Sequence, residues 1–169
     1  MGEYISYEQK AEKPSYEEVS QRLLTCCQRL NLDKLLKYAE SKKIKPHWYA
    51  ANAFNVKSKG RIIFRFHLGG GGNEQKGKIS LFFTVAHPRN LDRVLLSMDD
   101  GMRKFYFQHL RTCTNCNPNH GGGKQFSICG NLYHICAEPE MKFYGLEEDQ
   151  IEYLKKFIDV RISDIKNLV

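Results

Sequence analysis

The stretch Arg61-Ile62-Ile63-Phe64-Arg65-Phe66-His67-Leu68 has a period of two. Ile62, Phe64, Phe66 and Leu68 fall on one side, and Arg61, Ile63, Arg65 and His67 on the other. Successive side chains of a strand point to opposite faces, so this segment reads as a strand with one face on a core and one toward solvent. The pattern extends both ways. Residues 48–56 read as a preceding strand, joined by the turn Lys57-Ser58-Lys59-Gly60. Beyond a glycine-rich loop at 69–77, residues 78–86 are apolar on both sides, which predicts a central strand. Together the three predict an antiparallel meander.

Helical periodicity flanks this core. Residues 16–30 place Val19, Leu23, Leu24, Cys27 and Leu30 on one face, and Ser15 with Glu18 spells a capping box. Asn31 breaks the pattern, and a second helix is expected over 32–43, stopped by Pro46. Further on, 90–98 and 99–110 read as helices, with Asp99 and Asp100 at the start of the second. A final helix spans 147–167 on the stripe Ile151, Leu154, Ile158, Ile162 and Ile165. The expected fold is α+β: a small antiparallel sheet with helices packed on one face, a C-terminal Cys-rich hairpin and a final helix. Residues 1–15 read as a flexible N-terminal arm, and 16–169 as a single domain.

The composition suits one globular domain, at 41% hydrophobic and 27% charged over 169 residues. No apolar run approaches the ~20 residues that span a bilayer, and the N-terminus lacks a secretory pattern, so no membrane is expected and the location reads as cytoplasmic. The net charge of +7 is concentrated: residues 47–112 hold eleven Lys/Arg against four Asp/Glu. Such a basic middle region suits an anionic ligand or a nucleic acid.

In a reducing compartment the six cysteines point to metal or thiol chemistry rather than disulfides. Cys113-Thr114-Asn115-Cys116 places two thiolates within reach of one ion, and a structural zinc needs four ligands. The candidates for the rest are His120, Cys129, His134 and Cys136. A hairpin turning at Gly130-Asn131 would pair Cys129 with Leu132 and Gln125 with Cys136, leaving Cys129 about 13 Å from Cys136. The expected zinc set is therefore Cys113, Cys116, His120 and Cys136, within a segment spanning 113–136. His134 stays as an alternative ligand, and a longer loop or bulge would bring Cys129 back. A thiol-redox role for Cys113 and Cys116 is a separate alternative, although such motifs usually open a helix after a strand, whereas this one follows a helix.

From Cys113 to Ile162 the chain resembles the C-terminal region of a group of small proteins from Clostridia-type bacteria. That group shows Cys-x-x-Cys, a third Cys, a phrase Ile-Phe-Gly-Lys, a further Cys and a last helix. Here Ile128-Cys129-Gly130-Asn131 takes the place of the phrase, and His120 stands where the pattern has Cys. The resemblance implies a bacterial source and no assigned activity.

Other motifs fail. The stretch from Gly72 to Ile79 nearly spells a phosphate loop, but Ile79 replaces the magnesium-binding hydroxyl and a strand-like run follows. No deaminase, metalloprotease or nucleophile-elbow pattern occurs, so the expectation is a non-enzymatic protein. Trp48, Tyr49, Arg61, Arg65 and His67 are expected to line a cleft on the sheet for a small anionic or aromatic ligand. The alternative is a nucleic-acid-associated accessory protein, in which the two N-terminal helices present Lys34, Lys37, Lys42 and Lys43.

Overall fold

The structure is a computed structural model describing residues 6–69, 76–113, 123–135 and 138–168. Along the chain run α1 (Ser6–Glu12), α2 (Tyr16–Leu23), α3 (Cys26–Ser41), β1 (Pro46–Ala50), β2 (Ala53–Ser58), β3 (Arg61–Leu68) and β4 (Ile79–Thr84). Then follow α4 (Leu91–Leu96), α5 (Asp100–His109), β5 (Lys124–Ile128), β6 (Asn131–Ile135), β7 (Glu140–Tyr144) and α6 (Glu148–Lys166). Five strands make one antiparallel sheet in the order β1-β2-β3-β4-β7, and β5 with β6 forms a separate hairpin. The expected α+β class and antiparallel sheet are present; of the cysteines in the expected Cys-rich hairpin, only Cys129 lies among the described residues of β5, β6 and their turn.

The core lies between the sheet and the helices. Phe64 is paired with Phe83 and Phe66 with Leu81 across β3 and β4, and all four are fully buried. The Phe64 and Phe83 rings stack at 5.5 Å, and Phe83 meets Phe157 of α6. Burying each such side chain stabilises the fold by roughly 1.5–3 kcal/mol. From the helices, Leu32, Leu35 and Ala39 of α3 and Leu154 and Ile158 of α6 close over them.

The structure revises the expected elements where tertiary partners override local pattern. Residues 48–56 are not one strand but the end of β1, a turn at Ala51-Asn52, and the start of β2. Asn52 takes φ +55°, which its short polar side chain tolerates better than most. The helical break falls at Leu24-Thr25 instead of Asn31. Thr25 caps α3 by accepting from Gln28 N, while Asn31 is buried and donates to Leu146 O at 2.7 Å. A buried amide with a carbonyl partner costs the helix little. Ser15 forms the anticipated capping box, giving and receiving with Glu18 at 2.8 and 3.3 Å. Within residues 1–15, read above as an arm, α1 places Gln9 against the turn, where it accepts from Asn52 N at 2.7 Å and its side chain is buried.

Strand β7 has no counterpart in the predicted elements. It alternates Met141 and Phe143 into the core with Glu140, Lys142 and Tyr144 outward, and it completes the sheet beside β4. A bulge between β2 and β3 shifts the alternation of the opening stretch: Ile63 enters the core, while Ile62 is only half-buried.

Candidate ligand-binding face of the sheet

The face of the sheet turned away from the core collects the basic residues. The pairings Arg65↔Phe82 and Phe82↔Lys142 put these three side chains side by side across β3, β4 and β7. Arg65, Lys142 and Arg111 lie 5.0, 5.3 and 5.6 Å from the centre of the Phe82 ring. Arg111 is carried there by the exit of α5, where its N–H donates to Glu140 O at 2.8 Å. Lys142 also lies 4.2 Å from the Tyr144 ring. Each cation gains from the ring's negative face, but three like charges round one ring repel one another.

Glu140 partly answers that charge. Its carboxylate accepts from Arg65 Nη2 at 2.9 Å and is 6% exposed. Burial pushes its pKa up, and Glu138 pushes the same way; Arg65 and Arg111 pull it down without cancelling the burial. Along β3, His67 Nε2 is hydrogen-bonded to Tyr49 Oη at 2.8 Å and meets the edge of Phe82. Burial first and the Arg65 charge second hold the His67 pKa below its usual 6.5.

At the end of this face opens a groove of about 530 Å³, with Arg61, Arg65, His87, Glu138, Glu140 and Arg161 in its lining. Its floor is fixed by a buried network. Arg161 donates to Asp164 at 2.7 Å and to Ile62 O at 3.2 Å, and Asp164 also accepts from His87 N and Asn90 Nδ2, both at 2.8 Å. One carboxylate thus ties α6 to the 3₁₀ turn at Pro88–Asn90, while Arg161 ties it to β3.

Of the residues expected to form a cleft, Tyr49, Arg65 and His67 share this face, and Arg61 joins Arg65 in the groove. Trp48 does not. It pairs with Phe54 on the core side and lines a second cavity of about 470 Å³ between α2, α3 and the start of β1. Phe82, Arg111, Glu140 and Lys142 escaped sequence reasoning. For Glu140 and Lys142 the available signal was the alternation Glu140-Met141-Lys142-Phe143-Tyr144, which marks a strand and puts Lys142 outward.

The cysteine segment is described only in part. Cys113 donates its N–H to His134 O at 2.7 Å, and a Cβ placed on Gly123 would lie 3.2 Å from Cys113 Cβ and 3.1 Å from Ile135 O. Both ends of the intervening segment therefore meet at the open end of the hairpin. Cys113 is disulfide-bonded, whereas Cys26, Cys27 and Cys129 are free. Cys116, His120 and Cys136 lie outside the described residues. Among the described residues, no three His, Cys, Asp or Glu side chains form a metal-binding group.

The hairpin register differs from the expected one. The turn is Cys129-Gly130, with φ of +49° and +80°, so Ile128 pairs with Asn131 and Gln125 with His134. Two successive residues of positive φ suit the twist of a two-residue hairpin. Cys129 consequently sits at the tip, about five residues or roughly 16 Å from the open end. Its N–H donates to Asp92 at 2.9 Å.

The α3 lysines offered for nucleic acid are partly engaged: Lys34 pairs with Glu148, and Lys42 with Asp159 at 2.9 Å. Among the described residues, no helix is long and apolar enough to cross a membrane. Comparison with known protein families, curated proteins and solved structures gives no match.

Proposed function

We propose that this is a non-enzymatic bacterial cytoplasmic protein that binds a small anionic ligand with an apolar body on the open face of its sheet. The observation that carries this reading is the convergence of Arg65, Arg111 and Lys142 on Phe82, where cations outnumber the carboxylates of Glu138 and Glu140. An anion there relieves like-charge repulsion, and a flat apolar body packs beside the ring. Calorimetric titration with phenyl phosphate tests it. Saturable binding is expected, weakened at least about tenfold in the Arg111→Gln/Lys142→Gln variant. No heat up to about 5 mM ligand would contradict the reading.

The cysteine segment is read as a structural staple holding zinc through Cys113, Cys116, His120 and Cys136. Its support is the convergence of Cys113, Gly123 and Ile135 at the hairpin mouth. Zinc needs thiolates, so the disulfide at Cys113 and a bound ion are alternative states of one sulfur. Protein purified under reductant and without chelator should carry close to one zinc per chain. Less than about 0.2 zinc, with every thiol titrating freely, would remove this reading. The disulfide itself favours a second reading, a thiol-redox protein. That reading fails if activity survives Cys113→Ser and Cys116→Ser in a folded chain.

A further inference from the structure

The cavity behind β1 combines aromatic rings with charges of both signs. Its walls include the rings of Tyr16, Trp48 and Phe54, with the carboxylates of Glu17 and Glu40 at its rim. Lys13 and Lys45 also reach the rim, and Lys45 is taken by Glu40 at 3.4 Å, an exposed pairing that a competing cation can displace. The Tyr16 hydroxyl reports the local field. Its pKa is raised by burial first and then by Glu17, which also accepts its hydrogen bond, and by Asp33 and Glu40. The volume, about 470 Å³, admits a small organic molecule. Aromatic faces beside carboxylates are the chemistry that recognises alkylammonium groups.

We infer that this cavity is a binding site for a small quaternary or alkylated ammonium ion, held by the half-buried rings of Tyr16 and Trp48 over the buried Phe54, with charge supplied by Glu17 and Glu40. The site is separate from the open sheet face and does not depend on the reading given for it.

Trp48 is the sole tryptophan of the chain, so its fluorescence reports the cavity directly. The 169-residue chain would be titrated with choline chloride against a sodium chloride control at equal ionic strength. It would also be titrated with 3,3-dimethylbutan-1-ol, the neutral isostere of choline. The expected result is a saturable change in Trp48 emission with choline, at least about tenfold weaker with the alcohol. A Glu17→Gln/Glu40→Gln variant, both side chains being exposed, should show the same tenfold weakening with an unchanged melting curve. A choline response no larger than that to sodium chloride would overturn the inference. So would equal responses to choline and the alcohol, or undiminished choline binding by the folded double variant.

Discussion

His67 shows how one residue reports on the sheet face. In the folded chain, burial and the neighbouring Arg65 charge hold its imidazole neutral below the usual 6.5. As pH falls through 6.5, the unfolded chain takes up a proton that the folded chain refuses. The stabilisation is therefore complete above 6.5 and is lost as pH drops toward the folded pKa. Thermal melts at pH 7.5 and 5.5 should show a larger loss in the wild type than in His67→Gln. Equal losses would mean that His67 is not held in this environment. At this scale the sequence was informative about identity and less so about direction. Arg65 and His67 were placed together correctly by alternation. Trp48 was not, because its face depended on a turn at Asn52 that splits the expected strand.

Elements are held in place by a few buried polar groups whose partners lie far along the chain. Gln28 of α3 accepts from Leu146 N at 2.8 Å and donates to Leu146 O at 3.1 Å, fixing α3 to the entry of α6. Asp164 does the same for the groove floor. It is 2% exposed and Arg161 is 5% exposed, so Asp164→Ala leaves a buried guanidinium without its counter-charge. Urea denaturation should show a loss of about 3–5 kcal/mol. Removing Lys155, whose pair with Glu152 is exposed, should leave stability within measurement error. A comparable, small loss at Asp164 would show that the groove floor is not built on this network. Helix caps and amphipathic stripes were legible because they are local: Ser15 with Glu18, Asp99 before α5, and the apolar stripe of α6. The hairpin register was not. Both the expected and the observed pairing keep Ile128, Tyr133 and Ile135 on one face, so alternation cannot separate them. The turn decides, and it requires Cys129 to adopt a positive φ.

At the scale of the molecule, the two faces of the sheet divide the work. One carries the phenylalanine-rich core under α3, α5 and α6, and the other gathers Arg65, Phe82, Arg111 and Lys142. The fold class could be read from the change of period between helix and strand. The cationic face could not, because β7 comes from the far side of the cysteine segment and Arg111 from the end of α5. Only the pairing of β4 with β7 brings them beside Arg65. Part of the basic excess of residues 47–112, Arg65 and Arg111, is gathered round Phe82. The most direct test is amide NMR mapping of an isotope-labelled chain titrated with phenyl phosphate. Saturable shifts should cluster at Asn55, Arg65, Phe82, Arg111 and Lys142 and spare the buried face of α3. Shifts centred on the helices, or none at about 10 mM ligand, would contradict the account.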